Sequence, residues 1–408
     1  MGALPLCAVV SEVPVSVDEQ QSGETPFPKI YWKEGQRAQS ARWRSESGLA
    51  APKKVLVVDD TLKADTAFHY ACEGTAMLWR GDFQNAKLLL QAMARRADNR
   101  ARKEPDANTP LVPFPQAFHL HRQAQSQRAR MLAMVLIPMD ATHSVSLRRA
   151  PDVQLASYQV HGKANEPYII SLREVLGIIG GHEWRKAGIP IQAVQGLIHP
   201  HYGVFAPVRN EYVDLVATAP LSPLDLAFDV GTGTGVLAAV LARRGVKKIV
   251  ATETSDRALA CAQETMVQLH LTDTVEVVKA DMFPTGRAPL VVCNPPWIPA
   301  RASSPLEGAI YDHESRMLKA FLAGLSQHLT AKGEGWLILS DIAEHLGLRV
   351  RSDLVSWIEK AGLKVLEKRD IKPTHPRARD AGDPLYRARQ LEVTSLWRLG
   401  ASRLAGEG

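Results

Sequence analysis

The sequence contains little cysteine. Its 408 residues include only four cysteines, and no two of them form a C-x-x-C pair. They are Cys7, Cys72, Cys261 and Cys293. This spacing excludes a cysteine-ligated zinc motif and does not suit the disulfide framework of a small secreted domain. We therefore expect reduced thiols in a cytoplasmic protein.

The histidines also lack the spacing of a metal site. His119 and His121 form one H-x-H pair, and His199 and His201 form another. Neither pair has cysteines or carboxylates beside it at the spacing of metal ligands, so the sequence predicts no bound metal.

Long apolar runs are absent from the sequence. No stretch approaches the roughly 20 apolar residues that cross a bilayer, so we expect no membrane partner. The first residues, "MGALPLCAVV", have no charged segment before the apolar part and are interrupted by Pro5, which does not favour a signal peptide. The charge is mildly basic, with 49 Lys and Arg against 43 Asp and Glu, which suits a polyanionic partner without requiring one.

The length of the chain exceeds that of one ordinary domain and predicts two domains with tails. Residues 1–50 show no sustained apolar period and are predicted to be a disordered or loosely packed tail. We expect a first α/β domain over 51–200, a second domain over 201–400, and a short tail over 401–408. Within the first domain, 166–179 is predicted to be helical.

From residue 224 the sequence alternates regularly between strand and helix patterns. Such alternation predicts a parallel sheet with helices on both faces. The predicted strands with the clearest pattern are "LDLAFDV", "KKIVATE", "TVEVVKA", "PLVVCN" and "GEGWLILS".

A glycine-rich loop and three carboxylates follow these strands. Gly231, Gly233 and Gly235 come between a strand and a helix, where glycines allow a tight turn and the close approach of a ligand. Asp229, Glu253 and Asp281 lie at the ends of three successive predicted strands. The carboxyl edge of a parallel sheet is where ligands bind. Three acids there would repel a pyrophosphate and suit a ligand with a ribose, an amine and a cation.

The fourth strand ends in "NPPWIP", which places Asn294, Pro295, Pro296 and Trp297 at the same edge. Proline cannot donate to a sheet ladder, so the strand must stop there. The prolines also stiffen the turn that carries the asparagine.

These motifs, in this order, resemble class I S-adenosylmethionine-dependent methyltransferases over roughly 200–400. The resemblance implies a Rossmann-like seven-stranded sheet with an antiparallel last strand, preceded by an N-terminal α/β recognition domain. It implies S-adenosylmethionine as cofactor, with the glycine loop under its methionine part. Glu253 would hold the ribose, and Asp281 with Met282 would border the adenine.

The Asn-Pro-Pro-aromatic motif is similar to that of enzymes that methylate a nitrogen attached to an sp² carbon. In the resemblance, the Asn294 side-chain oxygen and the Pro295 carbonyl accept the two N–H groups of the target and turn its lone pair toward the methyl group. Trp297 stands where such enzymes more often carry Tyr or Phe, and its ring can stack on a planar target.

The sequence indicates the methyl acceptor less clearly than the cofactor. The segment "HYGVFAPVRNEYVDLV" (201–216) resembles both ribosomal RNA guanine-N2 and release-factor glutamine methyltransferases. A basic segment before the last strand could contact phosphates, through Lys372, Arg377, Arg379, Arg387 and Arg389. We expect a nucleobase amine in structured, ribosomal RNA. The alternatives are a glutamine amide in a protein, or a cofactor-binding protein without catalysis.

Overall fold

The computed structural model describes residues 27–101, 114–302, 305–374 and 383–402. Within these ranges the strands form a six-stranded sheet, a seven-stranded sheet and a two-stranded ribbon. Among the described residues, no helix combines the length and the apolar character needed to cross a membrane.

The first sheet lies in the N-terminal half of the chain. Its strands are β1 (Lys29–Glu34), β2 (Arg37–Trp43), β3 (Lys54–Val58), β4 (Thr75–Trp79), β5 (Val135–Met139) and β6 (Tyr168–Ser171). Their order is β1-β2-β6-β5-β4-β3, and β3, β4 and β5 run parallel. The outer strands β1 and β3 also lie against each other. The sheet therefore curls around a small apolar cluster that includes Ile30, Leu78 and Leu136.

The helices of this half are α1 (Ala64–Cys72), α2 (Phe83–Ala101), α3 (Phe114–Leu132), α4 (Gln154–His161) and α5 (Leu172–Ala187). They pack on the other face of the sheet, where Phe83, Met93 and Ile178 are buried against Trp79 and Ile137. Ser171 begins α5 by accepting a hydrogen bond from the Glu174 backbone N–H at 3.1 Å, as an N-cap serine does.

A short ribbon and one helix connect the two halves. They are β7 (Ile189–Ile191), a 3₁₀ turn (Gln192–Val194), β8 (Gly196–Ile198) and α6 (Glu211–Thr218). α6 packs on the second sheet, with Val213 and Val216 in its core.

The second sheet has the order β11-β10-β9-β12-β13-β15-β14, and β15 runs antiparallel to both of its neighbours. The strands are β9 (Leu226–Val230), β10 (Lys248–Glu253), β11 (Val275–Lys279), β12 (Ala288–Cys293), β13 (Leu329–Ser340), β14 (Leu363–Ile371) and β15 (Thr394–Ala401). The helices are α7 (Val236–Arg243), α8 (Asp256–Gln268), α9 (Pro305–Gly308), α10 (Arg316–His328), α11 (Ile342–His345), α12 (Arg351–Lys360) and α13 (Tyr386–Leu391), with a 3₁₀ turn at His313–Ser315. The predicted Rossmann-like sheet of seven strands is thus confirmed.

Alternate residues of the central strands enter two different cores, as the pleat requires. Val292 belongs to the core under α6 and α7, whereas Val291 and Cys293 belong to the core under α10 and α12. Both faces are covered, so the strand "PLVVC" is apolar throughout.

The two halves contact each other through charged side chains. Arg257 on α8 binds Glu46, which follows β2, at 2.9 Å. Arg185 near the end of α5 pairs with Glu264 on α8. These contacts fix the first sheet against the second.

The structure corrects the N-terminal part of the prediction. Residues 1–26 lie outside the described residues, but 29–43 form β1 and β2 and are therefore not a loose tail. Alternation in "KIYWKE" is partial, and the hairpin is stabilised by pairing with β6, which is distant in sequence. The segment 166–179 also begins with strand β6 before α5 starts. The division of the chain at residue 200 stays a prediction.

Candidate active site

The glycine loop connects β9 to α7 in a backbone conformation that favours glycine. Gly231, Gly233 and Gly235 have φ angles of 70°, 58° and 82°. The backbone N–H of Thr232 donates to the carbonyl of Thr252 on the neighbouring strand at 2.9 Å. The loop is therefore attached to the end of β10 as well as to its own strand.

Two of these glycines differ in what surrounds them. A Cβ on Gly235 would lie 2.5 Å from the Met266 methyl carbon and 3.4 Å from Ala262, so helix α8 packs directly on the loop. A Cβ on Gly233 would have no atom within 4 Å. The loop thus presents an open side at Gly233 and a packed side at Gly235.

Asp229 holds the loop in place from below. Its carboxylate is buried and accepts hydrogen bonds from the Thr232 hydroxyl at 2.6 Å and the Ala238 backbone N–H at 3.0 Å. Burial raises the pKa of Asp229 to about 6, although these two hydrogen bonds oppose the shift. The contacts give this carboxylate a structural role within the loop.

Glu253, at the end of β10, lies on the open side of the loop. Its Oε2 accepts from the Gly233 backbone N–H at 3.1 Å. Its Oε1 accepts from the backbone N–H groups of Thr254 at 2.8 Å and Ser255 at 3.1 Å. A carboxylate oxygen has two acceptor positions, so Oε2 retains one for a further donor.

Asp281 and Met282 follow β11 at the same edge. Asp281 is exposed, and Met282 is half-buried with a φ of 65°. The Met282 carbonyl accepts from the Thr252 hydroxyl at 2.5 Å. This hydrogen bond connects the turn after β11 to β10, which is the strand between β11 and the strand that carries the glycine loop.

The Asn-Pro-Pro-Trp turn lies beside the glycine loop because of the strand register. Cys293 at the end of β12 pairs with Val230 at the end of β9. Asn294 and Gly231 are the next residues of these two adjacent parallel strands. Asn294 is half-buried and Pro295 is buried. Burial raises the pKa of the Cys293 thiol well above its usual value, so this thiol stays protonated.

Trp297 folds back onto the asparagine. Its indole N–H donates to the Asn294 side-chain oxygen at 2.9 Å. The guanidinium carbon of Arg209 lies 5.2 Å from the centroid of the indole ring. Arg209 is itself held by Glu211 at 2.6 Å and Glu392 at 3.1 Å. The stacking of Trp297 on a target stays a prediction. The contacts with Asn294 and Arg209 also give the ring a structural role, because it holds the Asn294 side chain.

Sequence comparison identifies this half of the chain. Residues 198–349 match the family described as methyltransferase small domain. The chain is 25% identical over 170 residues to a tRNA1(Val) (adenine(37)-N6)-methyltransferase of Shewanella sp. strain W3-18-1, covering 39% of this chain and 71% of that protein. The part of the chain that contains residues 198–349 is therefore an S-adenosylmethionine-dependent methyltransferase domain.

Two further proteins are similar to parts of the methyltransferase domain. A release factor glutamine methyltransferase of Caulobacter vibrioides is 37% identical over 103 residues, which are 23% of this chain and 35% of the relative. A solved ribosomal protein L11 methylase from Lactobacillus delbrueckii subsp. bulgaricus is 18% identical, with a TM-score of 0.35 over 51% of this chain and 86% of that one. Another Shewanella tRNA1(Val) relative is matched over only 57% of its length.

The residues at the sheet edge fit S-adenosylmethionine, which is the cofactor of this domain. When bound, this cofactor supplies a methyl group carried on a positively charged sulfur. The open side of Gly233 leaves room for a ligand, and the remaining acceptor position on Glu253 suits a ribose hydroxyl. Asp281 and Glu253 together give the edge the negative charge that a cationic ligand favours. The individual roles of these residues stay predictions.

The N-terminal half also contributes to the methyltransferase edge, which the sequence did not reveal. Arg122 on α3 donates to the Arg301 carbonyl at 2.9 Å and to Glu307 at 3.0 Å, and its guanidinium lies 3.8 Å from the Tyr311 ring centroid. Phe118 on the same helix is buried against Ile342 and Leu346 of the second half. Helix α3 therefore supports residues 298–302 and 307–311, which follow the Asn-Pro-Pro-Trp turn.

The predicted basic residues are only partly described by the structure. Lys372 is exposed just after β14, whose end lies at the methyltransferase edge, and Arg387 is exposed on α13. Arg389 instead pairs with Asp383 at 2.8 Å. Arg377 and Arg379 lie outside the described residues. In the described ranges, no group of three or more His, Cys, Asp or Glu side chains could hold a metal ion.

Proposed function

We propose that the protein methylates an sp² nitrogen, and that this nitrogen is the exocyclic amine of a nucleobase in structured RNA, with ribosomal RNA as the first candidate. The Asn294 side-chain oxygen and the Pro295 carbonyl accept the two N–H groups of the amine. Its lone pair is then directed out of the plane, where it can attack the methyl carbon. A carbon–nitrogen bond forms, the carbon–sulfur bond breaks with its electrons on sulfur, and one proton leaves the nitrogen for water.

The position of Asn294 is the observation that carries this proposal. The pairing of Cys293 with Val230 places Asn294 next to the glycine loop, one strand away from the open side at Gly233. An amine attached to an aromatic ring is a weak nucleophile because its lone pair is delocalised. Preset acceptors compensate by orienting it, which is catalysis by positioning and electrostatics.

Exposed cations near this edge favour a nucleic-acid acceptor. Arg316 begins α10 and is exposed. Arg301 follows the Asn-Pro-Pro-Trp turn, and its side chain contacts the His313 ring nitrogen at 3.1 Å; no described carboxylate pairs with it. With Lys372 and Arg387, they provide positive charge beside acidic cofactor residues, as phosphate contact would require. The name of the Shewanella relative, an adenine-N6 methyltransferase, agrees with this acceptor.

A protein glutamine amide is the second candidate. It is favoured by the 37% identity to the Caulobacter release factor glutamine methyltransferase, although the match spans 35% of that protein. A glutamine amide also has two N–H groups on a nitrogen next to an sp² carbon, so the same two acceptors could orient it. A binding protein without catalysis would have no need for an asparagine preset in this way.

The acceptor can be determined with isotopically labelled methyl donor. The purified full-length chain is incubated with donor and, separately, with total RNA or total protein from cells in which its gene has been deleted. We expect ribonuclease-sensitive label in the RNA, and a nucleoside methylated on an exocyclic nitrogen after digestion. Size fractionation then distinguishes ribosomal from transfer RNA. Label found only in protease-sensitive material would contradict the RNA acceptor and support the glutamine amide.

A further inference from the structure

The β1–β2 hairpin has one face whose residues are mostly exposed in the part of the chain that the structure describes. Ile30 is buried in the curled sheet, so its neighbours Lys29 and Tyr31 point to the opposite side of β1, as does Lys33. The antiparallel register places Arg42 opposite Lys29, Ser40 opposite Tyr31, and Ala38 opposite Lys33. These residues together with Phe27 are called the hairpin face below.

The hairpin face combines exposed aromatic rings with positive charge. Tyr31 is 68% exposed and Phe27 is 45% exposed. The guanidinium of Arg42 lies 3.1 Å from the centroid of the Phe27 ring. A tyrosine this exposed at the centre of a strand contributes little to the core, so its burial cannot explain its presence.

The described residues place no carboxylate on the hairpin face. Glu34 is the only acid in the hairpin, and its carboxylate binds Arg80 at 2.8 Å and the Trp32 indole at 3.3 Å. Within the described ranges, neither Lys29 nor Lys33 has a carboxylate within ion-pair distance. Among the described residues, no carboxylate neutralises the positive charge of the two lysines, so this charge can attract an anionic ligand.

The hairpin face is held in a fixed position relative to the methyltransferase domain. β2 pairs with β6, and the Trp43 indole donates to the Leu49 carbonyl at 2.7 Å. Glu46, three residues beyond β2, binds Arg257 of α8. A ligand on this face would thus be held at a defined distance from the acceptor edge.

We propose that the hairpin face binds a single-stranded segment of the acceptor RNA, away from the nucleotide that is methylated. Flat rings separated by cations on a sheet surface suit this ligand, because bases stack on the rings while phosphates meet the lysines. The inference rests on the proposed RNA acceptor. It adds a second contact surface, in the N-terminal half, to the methyltransferase edge.

Binding of the full-length chain to a fluorescently labelled 12-nucleotide single-stranded oligoadenylate, measured by anisotropy at several salt concentrations, tests this proposal. We expect Tyr31→Ala to weaken binding at least about fivefold, since a lost base stack has about that effect. Tyr31→Phe keeps the ring and should bind within twofold of wild type. Lys33→Gln should reduce the slope of log affinity against log salt by about 0.7 for each lost phosphate contact.

Lys332→Gln is the matched control. Lys332 is exposed near the amino end of β13, whereas the cofactor edge lies at the carboxyl ends of the strands. This variant should leave both affinity and slope unchanged. Equal affinities of wild type, Tyr31→Ala and Lys33→Gln would overturn this proposal while leaving the RNA acceptor intact, provided that wild type still methylates RNA. A wild-type chain that neither binds nor methylates RNA would overturn both proposals.

Discussion

The indole N–H of Trp297 donates a hydrogen bond to the side-chain oxygen of Asn294, 2.9 Å away. An amide oxygen has two acceptor positions, so this contact occupies one and leaves one for a target N–H. It also fixes which end of the Asn294 amide is the oxygen end. A phenylalanine at this position would keep the ring but lose that constraint.

Replacing Trp297 with Phe should therefore reduce turnover without affecting the cofactor. Loss of one hydrogen bond to a positioned group costs about 1–2 kcal/mol, which corresponds to roughly a fivefold to thirtyfold lower kcat. Steady-state kinetics and calorimetric titration with S-adenosylmethionine measure the two effects. Trp184→Phe, on the exposed side of α5, is the control and should change neither. An unchanged kcat in Trp297→Phe would show that the hydrogen bond does not orient the asparagine.

The two sides of the glycine loop should respond differently to alanine. Gly235→Ala would place a Cβ against Met266 at a φ of 82°, so it should lower the melting temperature clearly. Gly233→Ala meets no neighbouring atom, and its left-handed backbone costs about 1–2 kcal/mol. Its added methyl group nevertheless enters the space assigned to the cofactor.

We expect Gly233→Ala to weaken S-adenosylmethionine binding at least about tenfold while the chain remains folded. Calorimetry and thermal unfolding on both variants provide the comparison. If Gly233→Ala bound the cofactor as tightly as wild type, the open side of the loop would not be the cofactor site.

The buried carboxyl of Asp229 should make stability depend on pH. Its pKa is raised to about 6 by burial, whereas an unfolded chain releases this proton near pH 4. Because the native state binds the proton more tightly, the contribution of the group is complete below about pH 4 and is lost as the pH rises through about 6.

The free energy of unfolding of wild type, relative to Asp229→Asn, should therefore fall by about 2 kcal/mol between pH 4 and pH 7. Denaturant titrations of both proteins across this range measure the difference, and other titrating groups cancel between them. Parallel pH profiles would mean that Asp229 ionises normally in the folded chain.

Arg122 should control the rigidity of the segment that follows the Asn-Pro-Pro-Trp turn. Arg122→Gln removes its contacts with Arg301, Glu307 and Tyr311, so amide hydrogen exchange at 298–302 and 307–311 should accelerate about tenfold or more. Arg128→Gln on the same helix is the control, since Arg128 binds Asp98 within the N-terminal half. Equal exchange in both variants would indicate that α3 does not support this segment.

The sequence predicted the second sheet well because its signals are local. The central strands β9 and β12 are mainly apolar and end in a glycine-rich or a polar turn. The positions of Asp229, Glu253, Asp281 and Asn294 near one edge follow from strand direction alone. The close packing at Gly235 is consistent with a glycine there, but the contact with Met266 could not be read from the motif.

Contacts between distant segments were not predictable in this way. The hairpin at 29–43 has weak alternation and depends on pairing with β6, about 125 residues later. Arg209 lies in a segment that the resemblance had singled out, but its place over Trp297 depends on Glu392 near the C-terminus. The contacts of Arg122 could not be predicted for the same reason, since its partners are about 180 residues away.

The central claim is that Asn294 orients the acceptor nitrogen and does not hold the cofactor. The decisive measurement compares wild type with Asn294→Ala in calorimetric binding of S-adenosylmethionine and in methyl transfer to the acceptor, with the exposed Asn165→Ala as control. We predict cofactor affinity within about threefold of wild type and a transfer rate lower by about 100-fold or more, the size of effect seen when one preset catalytic hydrogen bond is removed. A transfer rate equal to that of wild type would contradict the account.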